Sequence, residues 1–190
     1  MAFPGWAAGI VLFMQLPIPL YWFVLHPAKD FWRGRGNVTY VAAMGLSWLP
    51  VSILLIIYHR ELLRSDWPSA WQFDLGLVLI VLEVWTFVKV KRDLGGARLV
   101  GATEISGGGQ IEQAGIYARI RHPRYAGSFL ALLGACLVGG TRVTWAAVAI
   151  WTILTAVAIG MEERELRARF GNSYQEYCRR VPRFIPWRKT

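Results

Sequence analysis

The chain has 190 residues, of which 55% are hydrophobic and 14% aromatic. One water-soluble core cannot hide that much apolar surface, so lipid is expected as a second solvent. The formal net charge of +9 would suit a nucleic-acid binder, but the basic residues flank apolar runs and no DNA- or RNA-reading motif accompanies them, so no nucleic acid partner is expected.

Residues 6–25 carry no charge and, at about 1.5 Å of rise per residue, match the hydrocarbon thickness of a bilayer. No Lys or Arg precedes the run and no small-residue cleavage site closes it. It therefore reads as a retained span, bent at Pro17 and Pro19, rather than as a secretory leader. Residues 38–58 form a second run, broken by Pro50, and residues 71–88 a third that encloses Glu83. A carboxylate inside a membrane segment is a functional candidate by default; the alternative is simple pairing with a Lys or Arg at the membrane edge, and no partner is identifiable.

Residues 91–115 contain Gly95, Gly96, Gly101, Gly107, Gly108 and Gly109. That density suits irregular backbone able to approach a ligand closely, and equally a flexible loop. No strand precedes the run at Gly107, so it is not a dinucleotide-binding glycine fingerprint. The apolar stretch after Tyr125 reaches only about Val138 before Gly139 and Gly140 interrupt it, and a further apolar run covers residues 143–161. The pair reads as a helical hairpin with a short first arm. The second arm should continue as a charged helix through Phe170 and end at Gly171. Ser173 and Glu176 have capping-box spacing for a short helix to about Arg180, and Pro182 and Pro186 end regular structure.

Basic residues set the orientation, because cytoplasmic loops retain Lys and Arg. Lys29, Arg33 and Arg35 follow the first span, and dense sets occupy residues 89–124 and 164–189, leaving only Arg60, Arg64 and Arg142 in the alternate loops. The expectation is an all-α integral membrane protein with five membrane helical segments, the last two a hairpin, and a cytoplasmic C-terminal region, catalytic if the constellations described below carry chemistry. The N-terminus lies outside, in a bacterial or archaeal inner membrane or an endomembrane. Residues 1–90 form three transmembrane helices, and residues 91–190 the functional region with its cytoplasmic tail. Membrane lipids, with their anionic headgroups, are the expected surroundings. Cys136 and Cys178 fall in different compartments of this topology and have no Cys or His at metal-ligand spacing, so both read as packing residues and no metal is expected.

Two constellations could carry chemistry. In the first, residues 115–127, Pro123 suits the first turn of a helix and places His122 at its N-cap. The free N–H groups and positive end of that helix would accept an anion such as an amino acid carboxylate, with Arg121 and Arg124 in support. The same residues also suit a plain interfacial segment, with Tyr at the headgroups and Arg on the cytoplasmic side. In the second constellation, residues 162–171, helical spacing pairs Glu163 with Arg167 and Glu165 with Arg169 as surface ion pairs. Glu162 has no such partner. It is the carboxylate expected to face inward at the bilayer boundary, where it needs a cation, and a sulfonium would serve.

The ordered set Gly115-x-Tyr117, Arg121-His122-Pro123-x-Tyr125-x-Gly127, Glu162-Glu163, Phe170-Gly171-x-x-Tyr174-x-x-Tyr177 and Val181-Pro182-Arg183 resembles the isoprenylcysteine carboxyl methyltransferase family and its relatives, the membrane phospholipid N-methyltransferases. The resemblance covers residues 110–186. It implies a membrane helix bundle whose cytoplasmic end binds S-adenosyl-L-methionine from water and takes a lipid-like or prenylated acceptor from the bilayer. Carried over by position, the cofactor residues would be Gly109, Gln110, Ile111, Glu112, Tyr117, His122, Pro123, Arg124, Tyr125 and Glu162. Carboxyl-methylating members carry an arginine four residues before the first glutamate, where this chain has Ala158. A different arginine, Arg121 or Arg164, would then hold the acceptor, or the acceptor is not a carboxylate. An amine or thiol acceptor would have to lose a proton, for which His122, Tyr125 and Glu163 are candidates. The implied activity is methyl transfer to a lipidic or apolar acceptor, with Glu163 and Arg121 as candidate catalytic residues. The alternatives are phospholipid-amine or small-thiol methylation, or a non-catalytic membrane binding or transport protein.

Overall fold

A computed structural model describes residues 3–102, 105 and 109–186. Among these the chain is helical, without a strand; one isolated antiparallel bridge joins Leu63 to Gly140. The long elements are α1 (Phe3–Gln15), α2 (Ile18–Leu25), α4 (Asn37–Ile57), α6 (Ala70–Leu94), α8 (Pro123–Gly139), α9 (Arg142–Phe170) and α10 (Asn172–Arg180). Short helical turns α3 (Lys29–Trp32), α5 (His59–Leu62), α7 (Gly96–Leu99) and the 3-10 turn η1 (Gly115–Ala118) lie between them.

The first apolar run breaks where its prolines stand. Pro19 has no N–H to donate to the carbonyl of Gln15 one turn back, so that carbonyl is left free. The indole Nε1 of Trp151 on α9 donates to it at 3.0 Å, which satisfies the break and ties the first run to the last. Pro50, by contrast, is accommodated inside α4.

Three helical stretches are long and apolar enough to cross a membrane: Phe3–Leu25, Asn37–Ile57 and Arg142–Phe170. Their outward faces are apolar, with Ile10, Val41, Leu49, Ile56 and Ile153 all exposed. An exposed apolar surface of that extent suits lipid rather than water. The other two expected segments are helices of a different character. α6 carries Asp74 as well as Glu83, and α8 has only 17 residues.

α8 sits at the centre, packed against α6 on one side and α1 on the other. In lipid, helices gain little from hiding apolar surface from one another, so close approach of small residues carries the association. A Cβ added to Gly134 would lie 2.6 Å from the Gly76 carbonyl oxygen of α6, and one on Gly139 would lie 2.5 Å from the Pro4 carbonyl oxygen of α1. Both contacts are with backbone, which cannot yield as a flexible side chain can. Gly134→Ala is therefore expected to push α6 away from α8 and destabilise the fold by about 1–3 kcal/mol. Thermal unfolding in detergent checks this, and an unchanged midpoint would contradict the close approach.

The hairpin forms as expected. Its turn is held by Thr141 and Thr144, whose side chain and N-cap backbone make a capping box at the start of α9. Their hydroxyls donate to the carbonyls of Glu61 and Leu62, and Arg64 N–H donates to the Gly139 carbonyl at 2.6 Å. The second arm runs unbroken to Phe170, and Gly171 ends it with φ of 52°. The capping box expected at Ser173 is not formed. α10 starts two residues earlier, at Asn172, with Gly171 as its N-cap and no side-chain cap bond, because the left-handed glycine already turns the chain. Cys136 is buried and Cys178 half-buried, and both are free.

Candidate functional site

The N-terminus of α8, the far end of α9, η1, α7 and α10 converge on one cleft with a cavity volume of about 130 Å³, which Trp22 of α2 also lines. Of the residues expected to bind a cofactor, Gln110, Ile111, Glu112, Tyr117, His122, Arg124, Tyr125 and Glu162 all line it. Pro123 is buried directly behind, as the first residue of α8, with His122 at the N-cap. Gly109 has φ of +95° but does not contribute to the lining, and Gly107 and Gly108 lie outside the described residues.

Glu162 faces the cleft. Its contacts among the described residues are the hydroxyl of Tyr125, which donates to Oε2 at 3.2 Å, and Nδ1 of His122 at 4.0 Å. No guanidinium lies within ion-pair distance of it among the described residues.

Glu163 corrects the sequence reading. The ion pair with Arg167 is present at 3.1 Å, but the carboxylate is not on the surface: its side chain is 1% exposed. It also accepts from Arg121 Nη2 at 3.0 Å and from Arg183 through Nε at 3.0 Å and Nη2 at 2.6 Å, and His122 Nε2 lies 3.2 Å away. Helical periodicity showed the neighbour four residues on; it could not show chain segments that return from residues 121 and 183. The carboxylate opposite raises the guanidinium pKa of Arg183 further.

Arg121 is also occupied. Besides Glu163, it donates through Nη1 to the carbonyls of Cys178, at 3.0 Å, and Val181. Its backbone N–H donates to Pro182 O at 2.9 Å, and that of His122 to Arg183 O at 3.0 Å. The two expected catalytic residues, Glu163 and Arg121, therefore form a knot that fastens the C-terminal tail beside the cleft. Glu165, expected to pair on the surface with Arg169, instead holds His26 at 2.8 Å and Lys29 at 3.3 Å across the gap to α2 and α3.

Glu83 acquires the partner that the sequence left open. Arg124 Nη1 donates to it at 3.0 Å and to the Ser128 hydroxyl at 2.8 Å, while Gln15 Nε2 donates to the same carboxylate at 3.2 Å. Arg124 thus reaches the cleft with its charge already balanced from below.

Gly115 of the Gly-x-Tyr element has a steric reason. Its φ is +56°, and a Cβ there would lie 2.0 Å from the Asp93 carboxylate. That carboxylate accepts from the Ile116 N–H at 2.8 Å, which together with Arg92 holds Asp93 below its ordinary pKa. The turn directs Tyr117 into the cleft, where burial, reinforced by the nearby Glu162 charge, keeps its phenol protonated. Tyr177 donates to the Tyr117 carbonyl at 2.8 Å and closes α10 over η1.

Arg98 was not anticipated. It lines the cleft and binds Glu112 Oε2 at 3.0 Å and the Gln110 carbonyl at 2.8 Å, fixing the segment ahead of Gly-x-Tyr. In the sequence it is one basic residue in a glycine-rich loop, and no pattern sets it apart.

A second space, a largely apolar groove of about 480 Å³, lies between α8 and α9. Phe129, Trp151 and Ile159 form its walls, and Phe184 and Ile185 of the fastened tail contribute to one side. Among the described residues no charged side chain lines it, and Tyr125 alone lines both this groove and the polar cleft. Ala158, where an acceptor-binding arginine was considered, is 1% exposed.

Comparison with known proteins places residues 71–173 within the model of the phospholipid methyltransferase family. Methanethiol S-methyltransferase of Crocosphaera subtropica is 26% identical over 182 residues, covering 93% of this chain and 59% of that protein. Methanethiol S-methyltransferase 1 of Bradyrhizobium diazoefficiens is 39% identical over 75 residues, 40% of this chain and 26% of its own length. Protein-S-isoprenylcysteine O-methyltransferase of Xenopus laevis is 27% identical over 162 residues, 80% of this chain and 52% of its own. The chain spans less than two-thirds of the length of each.

Proposed function

This chain belongs to the phospholipid methyltransferase family, a family of membrane methyltransferases, and from that premise we propose that it transfers a methyl group from S-adenosylmethionine to an uncharged apolar acceptor that arrives through the bilayer. The observation that carries the reading is Glu162, a carboxylate facing the cleft whose contacts are a phenol and an imidazole rather than a guanidinium.

The residues of the cleft fit such a cofactor. When bound, it supplies an electrophilic methyl group on a cationic sulfur. Glu162 provides the complementary charge, and the rings of Tyr125, Tyr117 and Trp22 offer π-faces that attract a cation and exclude water. The N-terminus of α8 offers a positive dipole end to a carboxylate. Glu83 balances Arg124, so that arginine adds little repulsion toward a cationic ligand.

The groove between α8 and α9 supports an acceptor without charge, since among the described residues that line it there is no cation to pair with a carboxylate. Arg121 is held in the tail knot and Ala158 has no charge to offer, so prenylcysteine carboxylate is the poorer fit. A thiol on a small apolar body is the acceptor the groove suits best. The reading includes five membrane segments, an outside N-terminus and a cytoplasmic site, and the basic residues concentrated around the end of α9 beside the cleft support that orientation.

Methyl-labelled S-adenosylmethionine tests the proposal with purified protein in lipid nanodiscs offered a small alkanethiol, a prenylcysteine or phosphatidylethanolamine. Label is expected in the thioether. Label in prenylcysteine or phospholipid alone would overturn the uncharged acceptor, and no transfer to any of them would overturn the methyltransferase reading.

A further inference from the structure

The polar cleft and the apolar groove meet on Tyr125, whose hydroxyl donates to Glu162 Oε2 at 3.2 Å. An acceptor that travels through an uncharged groove arrives with its proton, because an ionised thiol would forfeit its hydration there. That proton must leave as the methyl group arrives.

We propose that Glu162 receives the acceptor's proton by way of the Tyr125 hydroxyl, an inference that rests on the methyl-transfer reading above. The acceptor's S–H bond breaks, its proton passes to Tyr125 Oη, and the Tyr125 proton passes to Glu162 Oε2. The electron pair left on the acceptor forms the new bond to the methyl carbon. The old methyl–sulfur bond breaks with its pair going to the cofactor's sulfur, which becomes a neutral thioether.

Charge balance gives the direction. Before transfer the Glu162 carboxylate faces a cation; afterwards that cation is gone, and the carboxylate, whose contacts are a phenol and an imidazole, lacks its counterpart. The proton takes the cation's place, so the net charge of the cleft is the same at the start and at the end.

The groups around Glu162 leave this role to it. His122 lies at 4.0 Å, with its other nitrogen toward Glu163. Arg121, Arg98 and Arg124 face the same cleft as donors, each paired with a carboxylate: Glu163, Glu112 and Glu83 respectively. A proton on any of those carboxylates would have to displace a guanidinium. The phenols of Tyr117, Tyr174 and Tyr177 are pushed by burial above their ordinary range and stay protonated.

Calorimetric titration of the full chain in detergent, at neutral pH in buffers of different ionisation enthalpy, tests the inference without turnover. S-adenosylhomocysteine, which has a neutral thioether, is expected to take up a proton on binding. Sinefungin, whose amine is a cation at the corresponding place, is expected to take up none. Glu162→Gln should abolish the uptake while still binding S-adenosylhomocysteine. Tyr125→Phe should keep the uptake but slow methylation of a thiol about 100-fold at neutral pH, with the deficit shrinking as pH rises and the thiol ionises unaided. Equal uptake by the two ligands, persistence of uptake in Glu162→Gln, or a wild-type rate in Tyr125→Phe would each overturn the relay. Failure of both ligands to bind the unaltered protein would instead overturn the cofactor reading on which it rests.

Discussion

Glu163→Ala is expected to release the C-terminal tail and to cost about 3–5 kcal/mol of stability, the range for removing one partner of a buried ion pair. The carboxylate is 1% exposed and its closest charged neighbour on the buried side, Arg121, is 9% exposed. Without Glu163, that guanidinium keeps its bonds to the Cys178 and Val181 carbonyls but loses its anion. Arg167 and Arg183 are about half in solvent, at 48% and 51%, and so add little to the loss. Glu163→Gln should lie between, keeping shape and some hydrogen bonds but no charge. Thermal unfolding in detergent reads the stability, and trypsin cleavage at Arg179, Arg180 and Arg183 reads the tail. An unchanged midpoint together with an equally protected tail would refute the knot. Methyl transfer should fall with tail release, because Phe184 and Ile185 leave the wall of the groove.

Glu162→Gln is expected to weaken cationic cofactor analogues far more than neutral ones. Two unit charges at contact distance interact by about 4 kcal/mol in a partly shielded site, and desolvation offsets part of that. A loss of about 100-fold for sinefungin, or about 2.7 kcal/mol, is the expected size, against only a few-fold for S-adenosylhomocysteine. Competition between the two analogues on purified protein measures the ratio. Equal losses would show that the carboxylate holds some uncharged part of the ligand or serves the fold alone. The folded state should tolerate this change, since the Glu162 side chain is 27% exposed and sits in no arginine cluster.

Much of the candidate site was legible because its signals are local. Pro123 at the first turn of α8 and His122 at its N-cap follow from one missing N–H and a fixed φ. The turn at Gly171 follows from a glycine that closes a charged helix. Glu162 stood out by lacking the basic neighbour that Glu163 has four residues on. The same local reasoning misjudged Glu163, because Arg121 and Arg183 reach it from 42 and 20 residues away along the chain. It missed Arg98 for the same reason, and it could not pair Glu83 with Arg124 across 41 residues.

The residue order by itself determined that this is a lipid-facing helical protein, with the bends at its prolines and the basic loops that favour one orientation. Those properties depend on hydration and hydrogen bonding along a few consecutive turns. Only the tertiary structure decided which charges are buried together, because a buried ion must find partners in three dimensions, and packing α8 between α1 and α6 selects them. The close approach at Gly76 and Gly134 brings α6 beside α8, where Glu83 meets Arg124. The fold of the tail back onto residues 121 and 122 converts Glu163 from a surface carboxylate into a fastening. Among the described residues, Glu162 is thereby left as the carboxylate that faces the cleft without a guanidinium of its own.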